Sequence, residues 1–263
     1  MFDVAQLESL LARSIFAGHL HFSPATESTN TDALAAARAG APHGSVFFAD
    51  EQLAGRGRGD HAWHSAAGQG LYVSVLLRPD FPAAVLPLLP LASGLAAAEA
   101  IHAVTVLVAD IRWPNDLLIG PRKVGGILVE AKSDGKNVGY AVVGIGINVH
   151  QRDFAPDLST PATSLDLESG RRISRQSLLA SLLKSLQRES LGLLAADAAE
   201  VIPRRLREAS TWICGREVEV HGPQACSGVT DGLDRNGFLR VRTSAGLVIA
   251  QTGGIREKPA SSC

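Results

Sequence analysis

VGGILVEAK at 124–132, SDGK at 133–136 and NVGYAVVGIGINV at 137–149 form the segment that decides the fold. Two long apolar runs, rich in Val, Ile and Gly, are joined by residues that favour a tight turn, which reads as a β-hairpin. Just upstream, VLVADIRWP at 106–114 and DLLIG at 116–120 read as two more strands. Strands in direct succession build a largely antiparallel or mixed sheet, not repeated βαβ crossovers. Further back, GSVFFA at 44–49 and GLYVSVLLRP at 70–79 add strands, and TDALAAARAG at 31–40 reads as a helix. Ser28 or Thr29 can cap that helix and Gly40 can end it. The Ala-rich run 85–104 reads as a buried helix with its prolines near the start, and residues 1–20 hold one helix-like stretch at 4–17. Forward of the hairpin, 151–172 is a connection, and helices follow over 174–197 and about 197–210. From Gly215 the pattern shortens to REVEV, ACSGVTDGL, GFLRVRT and GLVIAQ, with a turn at 234–237. The expected class is α+β: a mixed, largely antiparallel sheet with helices over 1–210, then a small β-barrel-like domain over 211–263.

Of the 263 residues 46% are hydrophobic and 19% charged, enough to bury a substantial core. The formal net charge of -1 supplies no overall pull toward DNA, RNA or an anionic membrane, so neither is an expected partner. The best membrane-span candidate, 85–104, is interrupted by Pro87, Pro90, Glu99 and His102. The start, MFDVAQLESLLARS, has early acids and lacks a basic segment before an apolar core, so a cytoplasmic location is expected. Cys214, Cys226 and Cys263 are odd in number and lack CxxC spacing, which argues for reduced thiols and against a thiolate zinc site.

The densest chemical signal is Gly55-Arg56-Gly57-Arg58-Gly59, preceded by Gln52 and followed by Trp63. Alternating Arg and Gly puts cationic forks on a backbone free to wrap an anion such as phosphate or carboxylate. A solvated loop or an RGG-like nucleic-acid tract is the alternative, though a single copy between two strands disfavours the latter. Trp113-Pro114-Asn115-Asp116 ends an apolar run, either as a plain Asx turn or as a presentation of two polar side chains. Lys123 opens the strand beside Gly125-Gly126, where it is a phosphate-holding point charge or a solvated lysine. Gly144 and Gly146 lie inside a strand without the third glycine of a dinucleotide fingerprint; they permit close approach to the backbone or tight packing. No P-loop, GxSxG elbow or HExxH helix is present. His19, His21, His61 and His64 are loosely spaced and are read as structural or solvated, not as metal ligands. Such a site works by positioning charge.

In combination and in this order, Ser28-Thr29-Asn30, EQLAGRGRG, Trp63, GLYVSVLLRP, RWPNDLL, RKVGGILVEA and GIGINV resemble the biotin–protein ligase family over most of 25–150. GREVEV and GGIREK resemble that family's small SH3-like C-terminal domain. The resemblance implies a catalytic fold related to lipoate ligases. It further implies ATP-dependent activation of biotin to biotinyl-5'-AMP, Mg²⁺ accompanying the nucleotide, and transfer of biotin to a lysine of a biotin carboxyl carrier domain. By the same resemblance, Ser28, Thr29, Asn30 and Gln52 hydrogen-bond the biotin ring, and Gly55, Arg56, Gly57 and Arg58 form the biotin-binding loop. Arg56 would approach the carboxylate, Arg58 would retain the phosphate, and Lys123 would stand between them, with Gly126 giving backbone contacts. Gly144 and Gly146 would line the pocket, while Trp63, Asn115, Asp116 and Asn148 would serve the nucleotide, its metal or the transfer step. The implied catalytic set is Lys123, Arg58 and Asp116, with no residue assigned to a resident metal. Two departures stand out: Asp60-His61 replaces a Gly-Arg pair after GRGRG, and no N-terminal DNA-binding domain precedes the motifs, so a ligase without repressor function is expected. A lipoate or octanoate transferase and a non-catalytic carrier-binding or nucleic-acid module are the alternatives.

Overall fold

Asp3 starts the first helix by accepting from the Gln6 N–H at 3.0 Å, an N-cap at the head of α1 (Val4–Leu11). The helix stops six residues short of the expected Ala17, because Ser14 Oγ turns back to the Leu11 carbonyl and Gly18 takes a left-handed φ of 73°. The computed structural model describes residues 2–59 and 61–258, so Asp60 and Cys263 lie outside the described residues. β1 (Leu20–Thr26) follows, an element the sequence reading did not anticipate, since Pro24 interrupts it; the strand sits at a sheet edge where proline is tolerated. α2 (Thr29–Arg38) ends near Gly40 as expected, but Ser28 makes no side-chain cap bond. The orphan Thr29 N–H is instead taken by Gln52 Oε1 at 2.9 Å.

β2 (Val46–Gln52) and β3 (Gly70–Leu77) come next, and all eight residues of β3 are buried. A 3₁₀ turn (Ala83–Leu88) carrying Pro87 leads into α3 (Leu89–Thr105). Ala83–Thr105 is long and apolar enough to cross a membrane, contrary to the expectation that its prolines and polar residues disqualify it; much of it is buried inside the fold, so it serves as a core helix. The strand expected over 106–114 shrinks to β4 (Asp110–Arg112). Val106 is the left-handed cap of α3, with its N–H on the His102 carbonyl, and this turns 106–108 away from the sheet.

β5 (Asp116–Ile119), β6 (Arg122–Ser133) and β7 (Val138–Asn148) complete the large sheet, whose order is β1-β2-β3-β7-β6-β5-β4. Only the β1–β2 pair is parallel; the others are antiparallel, so the mixed and largely antiparallel reading holds. The connection after β7 contains α4 (Leu165–Ser169), then come α5 (Arg175–Gly192) and α6 (Ala198–Ala209). α5 lies on α3, and the buried Glu189 of α5 holds Arg205 of α6 through two hydrogen bonds of 2.6 and 2.9 Å.

The C-terminal strands are β8 (Cys214–His221), β9 (Cys226–Leu233), β10 (Leu239–Thr243), β11 (Gly246–Ala250) and β12 (Gly254–Glu257). They form a second, antiparallel sheet in the order β11-β10-β9-β8-β12. Short GIRE, half of it charged, carries too little apolar pattern to be read as a strand in isolation, yet it pairs with β8.

Leu182 is fully buried in the principal core cluster. Leu182→Ala should therefore lower unfolding stability by about 3 kcal/mol, measured as a fall in the urea midpoint at unchanged slope.

Candidate active site

A continuous polar network is laid across β2, α2, β3 and β6. Gln52 Nε2 donates to Ser65 Oγ at 2.7 Å, while its Oε1 accepts from both the N–H and the hydroxyl of Thr29. Thr29 Oγ1 lies 2.8 Å from Ser74 Oγ, and Ser74 Oγ donates to Asn30 Oδ1; Asn30 Nδ2 donates to Glu130 Oε2 at 2.9 Å. Glu130 then receives both terminal nitrogens of Arg56 at 2.8 and 3.0 Å. Thr29, Asn30 and Ser74 are buried, and a buried polar group is tolerated only when paired in this way.

The glycines of β7 make the arrangement possible. A Cβ on Gly144 would lie 2.1 Å from Asn30 Oδ1, and one on Gly146 would lie 2.6 Å from Trp63 Nε1. The Trp63 ring also faces Gly126 across the Gly126–Gly146 register pair, and Lys123 Nζ stands 5.5 Å from its centroid. The indole N–H of Trp63 is buried without a hydrogen-bond partner among the described residues.

Beside this floor is a cluster of charge. Asp116, at the start of β5, places Oδ1 2.6 Å from Lys123 Nζ and Oδ2 2.6 Å from an Arg112 terminal nitrogen. Burial pushes the Asp116 carboxyl upward, but the two cations outweigh it and hold the group below the ordinary carboxylate range. Asn115 Nδ2 is spent on the Ile127 carbonyl and Asn148 Nδ2 on the Thr163 carbonyl, so both amides brace strands while facing the same space. Arg58 reaches the small sheet, donating to the Gly253 carbonyl and to Thr252 Oγ1. Burial draws its guanidinium below its ordinary value, countered by the nearby Asp116.

These groups surround one cavity of about 1050 Å³. Ser28, Thr29, Asn30, Gln52, Arg56, Gly57, Arg58, Trp63, Asn115, Asp116, Lys123, Gly126, Gly144, Gly146 and Asn148 all line it. Gly55 does not: it lies behind the wall, where a Cβ would meet the Trp63 carbonyl at 2.3 Å. Close approach at Gly144 and Gly146 serves Asn30 and Trp63 of the chain itself. The sequence reading passed over Ser74, Glu130 and Arg112, although a lone serine in an otherwise apolar strand was a usable signal for the first. It also did not anticipate that the small sheet, at 221–223 from the end of β8 and at 252–256 into β12, closes one side of the cavity. Among the described residues no group of three His, Cys, Asp or Glu side chains could hold a metal ion.

Residues 22–148 match the Biotin/lipoate A/B protein ligase family. A Mycobacterium tuberculosis protein named biotin--[acetyl-CoA-carboxylase] ligase is 33% identical over 237 residues, covering 88% of this chain and 85% of that protein. A Paracoccus denitrificans protein of the same name is 31% identical over 84% of this chain and 93% of its own length. A bifunctional ligase/repressor BirA from Bacillus spizizenii is 39% identical over 175 residues, 66% of this chain; the match spans only 54% of that relative. Among solved structures, the biotin protein ligase from Aquifex aeolicus in complex with biotin and ATP superposes with a TM-score of 0.78 at 29% identity, covering 91% of this chain and 98% of that one.

Gly144→Ala should push the Asn30 amide out of its bonds to Ser74 and Glu130. A loss of about 1–3 kcal/mol of stability is expected from the unpaired polar groups, read by chemical denaturation, together with weaker binding of the cavity's ligand.

Proposed function

Because the chain belongs to the biotin/lipoate A/B protein ligase family, we propose that it is a biotin–protein ligase, activating biotin with ATP as biotinyl-5'-AMP and passing the biotinyl group to a lysine of a biotin carboxyl carrier domain. The observation that carries this reading is the cavity itself, which joins a floor of hydroxyls and amides to a wall bearing Lys123, Arg112 and Arg58. The floor suits a neutral, hydrogen-bonding head group such as the ureido ring of biotin, and the wall suits two anions brought together. The reading divides the chain into a catalytic unit over 1–210 and a small SH3-like unit over 211–263, places the reaction in the cytoplasm, and includes neither a DNA nor a membrane partner.

In the first half-reaction the biotin carboxylate attacks the α-phosphorus of ATP and pyrophosphate leaves. Both reactants are negative, so catalysis consists of suppressing repulsion and aligning atoms. In this reading Lys123, at the cavity wall beside Asp116, does so. Arg56 was expected at the carboxylate, but its guanidinium is engaged by Glu130, so in this reading its side chain holds the loop closed. Ser28, Thr29, Asn30 and Gln52 orient the ring, Gly57 and Gly126 allow backbone approach, and the free N–H of Trp63 is a donor for an anionic oxygen. Asn115, Asn148 and Arg58 face the nucleotide.

Among the described residues that line the cavity, Asp116 and Asp153 carry carboxylates. That donor set fits Mg²⁺ arriving on the nucleotide phosphates, since this ion is commonly held by one or two carboxylates plus substrate oxygens. When bound it supplies charge neutralisation at the phosphates. In the second half-reaction the lysine amine attacks the acyl carbon and AMP departs. Free lysine titrates at about 10.4 and must lose a proton, for which Asp116, held strongly ionised, is a poor acceptor; its role is to orient the amine.

Incubation with ATP, Mg²⁺, biotin and a carrier domain, followed by intact-mass measurement, tests the assignment. One biotinyl increment on the carrier supports it; no increment with biotin alongside one with lipoate or octanoate would overturn it. Lys123→Ala should lower biotin-dependent pyrophosphate release at least tenfold, given that a charge-assisted bond contributes about 1.5–3 kcal/mol. Arg58→Gly should leave adenylation measurable but speed escape of preformed biotinyl-5'-AMP by about tenfold, the equivalent of 1.4 kcal/mol. Labelling of lysines on an unrelated bystander protein reads out that escape.

A further inference from the structure

Arg112 is the residue on which the cavity's charge balance turns. It has only 9% of its side chain exposed, at the wall of the cavity, and most of its donors are committed within the protein. One terminal nitrogen and Nε both point at Asp116 Oδ2, at 2.6 and 3.2 Å, and the same terminal nitrogen donates to Thr160 Oγ1 at 2.9 Å. The other oxygen of Asp116 belongs to Lys123. Two cations therefore share one carboxylate, leaving the trio one positive charge in excess. Remove Arg112 and the excess vanishes: Asp116 and Lys123 become a neutral pair, and Lys123 has less charge to offer an incoming anion. Arg58 of the glycine-rich loop is the further cation that senses Asp116, but its hydrogen bonds go to the small sheet.

The outer face of Arg112 is equally committed. Its guanidinium lies 5.3 Å over the Trp212 ring, which also carries Arg216 at 4.0 Å. The flanking residues of β4 are tied to the same linker: Asp110 accepts from Thr211 and the Ile111 carbonyl accepts from Ser210 Oγ. Each of the three residues of β4 thus grips one of the three residues 210–212 that lead into the small sheet.

We propose that Arg112 is a positioning residue that keeps the charge of Lys123 available to anionic substrate by taking one oxygen of Asp116, anchored for that purpose to the linker at Trp212. This rests on the biotin ligase reading, because the anion is the biotin carboxylate. Titration calorimetry of the whole chain with biotin alone separates the two claims. If the wild type fails to bind biotin, the ligase reading falls.

If the wild type binds, Arg112→Met should weaken binding by about tenfold, and Arg112→Met combined with Asp116→Asn should recover most of that loss, because the carboxylate that quenches Lys123 is gone. A residue that only supports the fold would give no such recovery. Arg112→Lys, which offers a point charge in place of a fork, should lie between wild type and Arg112→Met. Should Arg112→Met not fold, the same comparison is made with Arg112→Lys and its Asp116→Asn double variant. Unchanged affinity in the single variant, or a double variant as weak as the single, would overturn the proposal.

Discussion

Two missing side chains on β7 are the constraint on which the site depends. Gly144 leaves the volume that the Asn30 amide occupies, and Gly146 leaves the volume that the Trp63 indole occupies. Because Asn30 lies at the head of α2 and Trp63 on the loop after β2, two segments distant in sequence reach the same strand at van der Waals range. The network from Ser65 to Arg56 is a consequence of that proximity. Glycines inside a strand weaken it, and here the weakness is offset by pairing on both sides, with β3 and with β6.

The second organising feature is a difference in polarity between neighbouring walls. The hydroxyl and amide floor is neutral apart from the Arg56–Glu130 pair at its rim. The wall beside it gathers Arg112, Lys123 and Arg58 around one half-buried carboxylate, that of Asp116. A ligand with a neutral polar head and an anionic tail matches both at once, whereas a uniformly charged one matches neither floor nor wall completely. Electrostatic preorganisation of this type requires that the cations be held in place before the anion arrives, and Asp116, shared between two of them, holds both.

Much of this was legible in the amino-acid sequence. The hairpin at 124–149 was readable because apolar runs flanked a turn of unmistakable composition, and the glycine-rich loop was readable because alternating Arg and Gly has few structural uses. Features that failed to announce themselves depend on tertiary context. β1 carries a proline and looks like loop until an edge position admits it. Arg112, Ser74 and Glu130 are ordinary residues of strands whose importance comes from neighbours many positions away. Val106 to Val108 look like strand by propensity, yet the left-handed end of α3 removes them from the sheet. Arg56 reads in the sequence as a cation reaching for a carboxylate of the ligand, and only the folded chain shows that Glu130 engages it.

The two sheets look separable in the linear order of the chain, but the bonds between them run through groups that have no substitute. The Trp113 indole N–H, buried in the larger part, donates to the Gly237 carbonyl of the smaller at 3.1 Å. Arg58 rests on Gly253, whose left-handed backbone has no room for a Cβ beside the His221 carbonyl. An indole donor, a guanidinium and a stacked tryptophan would all be stranded by a cut near residue 211. Modularity in the order of elements is therefore not modularity in contacts: shuffling the smaller part between proteins would mean transplanting the seam along with the piece.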